Sequence, residues 1–169
     1  TADLVATKLT EWGIPIHRGL GTTGVVGIIQ GGDSGRAIGL RADMDALPLQ
    51  EFNTFDHASR HQGKMHACGH DGHTAMLLAA AQHLAKHRNF DGTVYVIFQP
   101  AEEGGGGARE MIKDGLFKEF PMQAVFGMHN WPGPKVGSFA VSPGPVMASS
   151  NEFHITIHGK GSHAALPHN

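Results

Sequence analysis

Continuous runs of apolar residues mark the strands that this sequence predicts. Residues 93–98 and 124–128 are apolar without polar alternation, which is typical of strands buried on both faces of a sheet. Shorter apolar runs predict strands at residues 25–29 and 37–40. The glycine-rich segment 31–35 between these two runs has the composition of a hairpin turn, so we expect a hairpin there.

Apolar residues at helical spacing predict three helices. The first apolar face covers residues 2–12, a second covers about residues 74–86, and a short helix over residues 108–113 ends at Gly115. Because strands and helices alternate along the chain, the predicted fold class is α/β, with a largely parallel sheet and flanking helices.

The last part of the chain has a different pattern. Residues 136–141 predict a further strand, and residues 153–158 alternate apolar and polar side chains, which is typical of a half-exposed strand. We therefore place a domain boundary near residues 148–151, which divides the chain into a first domain at 1–148 and the start of a second at 149–169. The chain begins inside a predicted helix and ends in a new loop, so we expect a fragment of a longer protein.

Composition narrows the classes of protein that fit. The chain has 169 residues, a formal net charge of −2 and 40% hydrophobic residues, which suits a folded domain with its own core. No basic excess indicates nucleic acid, and no apolar run approaches the roughly 20 residues of a membrane helix. The lone cysteine argues against a secreted domain held by disulfides, so we expect a cytoplasmic protein without nucleic-acid or membrane partners.

The densest chemical feature is the segment at residues 66–73, with the sequence HACGHDGH. Thiolate, imidazole and carboxylate are the side chains that bind zinc-like metals. Cys68 and His70 lie two positions apart in a predicted loop, so both can face one ion. The chain has thirteen histidines, of which we interpret most as surface residues. One alternative is a small buried cysteine beside surface histidines. Another is a catalytic Cys/His pair, which would not need the paired acids further along the chain.

Acidic and imidazole side chains follow three of the predicted strands. Asp43 and Asp45 come at or just past the end of one strand. Glu102 and Glu103 follow the next long strand, and His129 follows the last. Because ligands of parallel sheets gather beyond the carboxyl ends of the strands, these residues are expected to share a site.

Each of these residues also has an ordinary interpretation. Of two adjacent glutamates, one can bind a metal while the other takes a proton from an attacking water, yet either alone could be a solvated surface acid. His129 could be a packed core residue. Asp43 and Asp45 could form a turn, orient ligand histidines or donate a carboxylate.

Five ordered motifs carry a family resemblance, at residues 41–48, 66–73, 99–103, 127–130 and 159–168. Together they resemble the zinc-dependent amidohydrolases of the aminoacylase/carboxypeptidase family of metallopeptidases, in the branch of hippurate hydrolases and indole-acetyl-amino-acid hydrolases. The resemblance implies a catalytic α/β domain with two divalent metal ions, interrupted by a smaller α+β lid domain that mediates dimerisation. Residues 1–148 would then be part of the catalytic domain, and residues 149–169 would contain the first strand of the lid.

The resemblance also implies roles for individual residues. The residues that match the family's metal ligands are Cys68, His70, Glu103 and His129. Glu102 matches the general base, Asp45 matches an aspartate that orients a ligand region, and His163 matches a lid histidine that contacts the substrate carbonyl. The family has one more metal-binding histidine near its C-terminus, which no segment of this chain matches.

The implied function is hydrolysis of the amide bond of a small N-acyl amino acid such as hippurate, by a homodimer that uses zinc, or manganese, cobalt or nickel. Glu102 would take a proton from the attacking water and return it to the leaving amine. Two alternatives stay open: a hydrolase of dipeptides or N-acyl-diaminopimelate derivatives, and a non-catalytic metal-binding module. A closed structural site would not need the spare acid Glu102 beside a ligand.

Overall fold

The computed structural model describes residues 1–149 and 151–168, and its regular elements form one α/β unit within residues 1–132. The helices of this unit are α1 (Ala2–Glu11), α2 (His70–His87), α3 (Gly107–Lys113) and α4 (Leu116–Glu119). Its strands are β1 (Ile16–Arg18), β2 (Val25–Gln30), β3 (Ala37–Asp43), β4 (Thr93–Gln99) and β5 (Ala124–Gly127). Across the described residues, no helix is both long and apolar enough to cross a lipid bilayer.

The five strands form one mixed sheet with the order β1-β2-β4-β3-β5. Strand β3 runs parallel to both β4 and β5, whereas β2 is antiparallel to β1 and β4. The parallel strands β4, β3 and β5 therefore end at the same edge of the sheet. The predicted α/β class, with a largely parallel central sheet and flanking helices, is confirmed.

The predicted hairpin between β2 and β3 is wrong, because β4 lies between these two strands. The linker packs on the turn that precedes β4, where the backbone N–H groups of Gly31 and Gly32 both donate to the carbonyl of Gly92. Strand β4 pairs with β2 along one edge and with β3 along the other, so both of its edges are hydrogen-bonded. A hairpin would have left β4 closer to the sheet edge.

Helices cover both faces of the sheet and enclose two apolar cores. On one face, α1 and α2 pack on the sheet through residues that include Val5, Leu9 and Leu77. On the other face, α3 and α4 contribute Met111 and Leu116. Burial of these side chains at roughly 25 cal/mol per Å² of apolar surface is the main favourable term for this unit.

Helix α2 begins at His70, four residues earlier than the sequence pattern predicts. Gly69 precedes the helix in the left-handed backbone conformation, with φ of 85°, which glycine adopts without a Cβ penalty. The part of the 66–73 segment from His70 onward is therefore helical, and only its first residues form a loop. The prediction placed the helix start too late because the polar cluster interrupts the apolar periodicity.

Strand β5 is an exposed edge strand, so the prediction that it is buried on both faces is wrong. Within the described residues its only neighbour in the sheet is β3. The side chains of Val125 and Phe126 are 43% and 57% exposed. Apolar composition predicted the strand correctly, but it did not predict what covers the strand.

Residues 133–169 form a second unit, which is described by itself. The strands predicted at residues 136–141 and 153–158 are not formed there, and Val136 and Phe153 are exposed. A strand gains stability from hydrogen-bonded neighbours, and neither segment has such a neighbour among the described residues. The two units divide between Pro132 and Gly133, whereas the domain boundary near residues 148–151 stays a prediction.

Candidate metal centre

The ends of the parallel strands bring together acids that are far apart in the sequence. In the register, Asp43 at the end of β3 is opposite Gln99 at the end of β4. The chain beyond each of these ends carries an acid, Asp45 after β3 and the Glu102–Glu103 pair after β4. The backbone N–H of Glu103 donates to Asp45 Oδ2 over 2.9 Å, which joins the two segments directly.

His70 is the central side chain of the cluster, and it is only 1% exposed. Its Nδ1 lies 3.2 Å from Asp45 Oδ1. Its other ring nitrogen, Nε2, is buried and has no hydrogen-bond partner. Three carboxylate oxygens surround this nitrogen, at 3.7 Å from Asp43 and 3.8 Å from both Glu102 and Glu103.

Asp45 holds His70 and the glutamate segment at once, through its two carboxylate oxygens. Burial raises the pKa of Asp45, but hydrogen bonds from the backbone N–H groups of Glu103 and Glu102 outweigh that effect. The pKa of Asp45 therefore lies below its usual value, and the residue is a carboxylate at neutral pH. A carboxylate bonded to Nδ1 orients the imidazole with Nε2 towards the centre of the cluster.

Cys68 and His129 close the opposite side of the cluster, with Sγ 3.5 Å from Nε2 of His129. The Nδ1 of His129 lies 2.6 Å from the carbonyl oxygen of Asn130. Because a carbonyl only accepts, Nδ1 carries the proton and Nε2 presents its lone pair. Burial and the carboxylates of Glu103 and Glu102 raise the pKa of the Cys68 thiol to about 11.

These donors fit a divalent cation. A buried imidazole nitrogen without a partner costs free energy. Of the three nearby carboxylates, that of Asp43 is paired with Arg41, whereas those of Glu102 and Glu103 repel one another unless a positive charge lies between them. Two overlapping groups each offer ligand atoms within 4.8 Å of one another: Cys68, His70 and His129, and His70, Glu102 and Glu103. Thiol, imidazole and carboxylate ligands together suit zinc and similar ions.

The model of the peptidase family M20/M25/M40 matches residues 39–169. The chain belongs to this family. The resemblance predicted from the five motifs is thereby confirmed. The matched region contains every residue of the candidate metal centre.

Several known proteins are similar to this chain along nearly its whole length. The hippurate hydrolase of Campylobacter jejuni is 51% identical over 99% of this chain, which corresponds to 43% of that protein. An IAA-amino acid hydrolase of Arabidopsis thaliana is 45% identical over 99% of this chain and 38% of its own length. The chain thus spans about two fifths of the length of these relatives.

A solved structure from the M20 family supports the fold. A Bacillus subtilis protein described as a dinuclear metal-binding peptidase is 43% identical, with a TM-score of 0.72 over 78% of this chain and 36% of that chain. Over the part that the two chains share, this unit therefore has the same fold as that protein.

Sequence reasoning missed the contribution of His73, which lies three residues after His70 on α2 and is equally buried. Its Nδ1 lies 2.6 Å from Asp43 Oδ1, and its Nε2 accepts a hydrogen bond from the backbone N–H of Asn130. Had the helix been predicted to start at His70, the spacing of three would have placed both histidines on one face. The contact with Asn130 has no signal in the sequence.

His163 is the one predicted site residue outside this cluster, because it lies in the second unit. There it is exposed, and its carbonyl accepts a hydrogen bond from the backbone N–H of Leu166. Its contact with a substrate carbonyl stays a prediction.

A cavity of about 610 Å³ lies beside the cluster, next to Asp45. Apolar side chains such as Met44 and Met65 line it together with Lys64 and His66. Most of its lining residues are polar or charged, and among the residues of the cluster only Asp45 lines it.

Proposed function

We propose that the full-length protein hydrolyses the amide bond of N-acyl amino acids and uses two divalent metal ions. One observation carries the proposal: the buried Nε2 of His70 has no partner and faces three carboxylate oxygens, in a chain of the M20 family. Such a centre is costly to build, and a bound cation satisfies it.

The residues that would hold the metal ions are Cys68, His70, Glu103 and His129. A bound divalent ion supplies Lewis acidity, which lowers the pKa of a water molecule and polarises a carbonyl group. Asp45 acts on the ligands themselves, because it orients His70 and fixes the backbone at Glu103. Zinc is the ion we expect, and manganese, cobalt and nickel are the alternatives.

Glu102 is proposed as the general base. Its side chain is 43% exposed, so a substrate and a water molecule can reach it, whereas Glu103 is more buried. Glu102 takes a proton from the attacking water, whose oxygen forms a bond to the amide carbon. When the C–N bond breaks, Glu102 passes that proton to the leaving nitrogen, which gives a carboxylate and a free amino acid.

The substrate class rests on the relatives. Their names specify hippurate, N-acetyl-L-cysteine and IAA-amino acids, which are all amides of an amino acid. The cavity beside Asp45 has room for such a molecule. A cytoplasmic location, a homodimer formed through the second domain, and contact between His163 and the substrate carbonyl belong to the same proposal.

A carboxypeptidase activity is the second candidate. A Saccharolobus solfataricus protein named thermostable carboxypeptidase 2 is 45% identical over 99% of this chain. The same metal centre and general base would serve a peptide bond. Relative rates of the full-length protein on hippurate, N-acetyl-L-cysteine and an unblocked dipeptide separate the two candidates, and we expect the N-acylated substrates to be faster.

The role of Glu102 is tested by Glu102→Gln in the protein at its natural full length. The amide cannot accept the proton, so we expect kcat for hippurate to fall at least ~100-fold, with metal content unchanged. Glu11→Gln is the matched control, because Glu11 is an exposed acid on α1 that pairs with Lys8, and it should keep the wild-type rate. Unchanged hydrolysis by Glu102→Gln would show that another group is the base.

A further inference from the structure

We propose that His73 is a positioning residue that holds the proposed ligand His129 in place, through a chain of hydrogen bonds that runs from the buried Asp43 to His73 and on to Asn130. The inference rests on the proposed metal-dependent function. It gives a role to His73 and Asn130, to which neither the sequence motifs nor the family resemblance gave one.

His73 lies among the proposed ligands, yet neither of its nitrogens is free to bind a metal. Its ring centre is 5.3 Å from that of His70 and 4.4 Å from that of His129. The backbone N–H of Asn130 can only donate, so Nε2 of His73 is the acceptor of that 3.0 Å bond. Nδ1 then carries the proton and donates to Asp43 over 2.6 Å.

Asp43, His70 and His73 also offer three potential ligand atoms within 4.8 Å of one another. The carboxylate of Asp43 is already neutralised, because Arg41 lies 2.7 Å from its Oδ2. A second divalent charge there would have to displace Arg41 and break the Asp43–His73 bond. We therefore assign this group to structure and not to a metal site.

Asp43 is a rigid anchor for the chain of bonds. It is buried at the end of β3, and the hydroxyl of Thr74 on α2 donates to its carbonyl. Arg41 bonds both to Asp43 and to Gln99 at the end of β4. The anchor is therefore tied to two strands and one helix.

Asn130 is the residue of this hydrogen-bond chain that the contact with His73 holds in position. It follows His129 at the end of β5, which has one neighbouring strand within the described residues. Its backbone N–H donates to Nε2 of His73, its Oδ1 lies 2.9 Å from the same ring nitrogen, and its Nδ2 donates to the carbonyl of Gly69.

The contacts of Asn130 affect the geometry of the metal centre. Gly69 lies between Cys68 and His70, so Asn130 links His129 to the segment that carries the other proposed ligands. The 3.5 Å approach of His129 to Cys68 then depends on His73. Loss of His73 should free the end of β5 and weaken the ligand that it carries.

The test is metal affinity of the full-length protein, measured by calorimetric titration of the metal-free form with Zn²⁺. The variant His73→Phe keeps an aromatic ring at this position but loses the hydrogen bonds that the two ring nitrogens make. Residues that hold ligands typically contribute 10–100-fold to metal affinity, so we expect about that loss at one site. At saturating Zn²⁺ the KM for hippurate should stay at the wild-type value, because His73 does not touch the substrate. His73→Gln keeps an amide near the Nε2 position and should recover part of the affinity.

Two further variants keep the result interpretable. His83→Phe changes an exposed histidine of the same helix and should bind Zn²⁺ like the wild type. Asn130→Ala keeps the backbone bond to His73 and removes the side-chain contacts to His73 and Gly69, so it tests the link to Gly69, and His73→Gln carries the test of His73 if His73→Phe does not fold. We expect Asn130→Ala to weaken Zn²⁺ binding several-fold.

Two outcomes would overturn the inference. Unchanged Zn²⁺ affinity in both His73→Phe and Asn130→Ala would leave His73 as ordinary packing. Contact-shifted ring-proton signals of His73 in the Co²⁺-loaded wild type, seen by paramagnetic NMR, would make His73 a ligand. A wild-type protein that binds Zn²⁺ but hydrolyses no N-acyl amino acid would overturn the proposed function alone.

Discussion

Cys68 is the residue whose chemistry depends most on a bound cation. Burial and the nearby carboxylates of Glu103 and Glu102 raise the pKa of its thiol from 9.0 to about 11. Without a cation the side chain is therefore a neutral thiol at neutral pH. A divalent ion reverses the local electrostatics and favours the thiolate, which is the form that binds metal.

Metal binding should therefore release a proton from Cys68. The raised pKa means that the folded, metal-free protein keeps this proton up to about pH 11, so between pH 7 and 9 the metal must displace it and affinity must rise with pH. We expect the wild type to release about one proton more per molecule than Cys68→Ser. Zinc titrations in buffers of different ionisation enthalpy measure this difference, and equal proton release would exclude the thiol as a ligand.

At the scale of single residues, the sequence indicated which side chains could bind a metal, but not which residues hold those side chains in position. Cys68 and His70 are recognisable because thiol and imidazole lie two positions apart. Glu102 and Glu103 are recognisable as adjacent acids after a buried strand. The bond between His73 and Asn130 joins residues 57 positions apart, and no local pattern predicts such a contact.

At the scale of elements, the site exists because parallel strands end together. The apolar runs predicted those strands, and the acids after β3 and β4 do meet at one edge of the sheet. The strand order was not predicted, because hydrophobic periodicity reports burial and not which strand is the neighbour. Strand β5 was expected to be buried because it is apolar, but its composition does not say which elements cover it, and it is an edge strand.

The junction between the Cys68 loop and α2 requires a glycine. Gly69 has φ of +85°, and a Cβ there would lie 2.3 Å from Oδ1 of Asn130. Gly69→Ala should therefore strain the backbone by roughly 1–2 kcal/mol and also push Asn130 away. We expect a loss of both stability and Zn²⁺ affinity, the latter by roughly 10-fold, as for other residues that support ligands.

Gly63→Ala is the matched control for this junction. Gly63 also has a positive φ, of +68°, but nothing lies within 4 Å of an added Cβ. Chemical denaturation should show a loss of stability in both variants, larger in Gly69→Ala because of the clash with Asn130, whereas calorimetry should show weaker Zn²⁺ binding only in Gly69→Ala. Equal Zn²⁺ affinities in the two variants would mean that Gly69 is needed only for the backbone conformation and not for the position of Asn130.

At the scale of the whole molecule, the α/β unit carries nearly all of the proposed machinery. Every predicted site residue except His163 lies within residues 1–132. The chain spans about two fifths of the length of its M20 relatives, so the complete activity is a property to be measured on the full-length protein. The fold class followed from the alternation of strands and helices, whereas the second unit did not form the strands that its sequence predicted.

The most direct measurement is the metal dependence of hippurate hydrolysis by the full-length protein. The protein is stripped with a chelator, its metal content is determined, and Zn²⁺, Mn²⁺ or Co²⁺ is added back in known equivalents. We predict no turnover in the stripped protein and full turnover once two equivalents are bound. Hydrolysis at the original rate without metal, or a fully loaded protein that cleaves no N-acyl amino acid, would contradict the account.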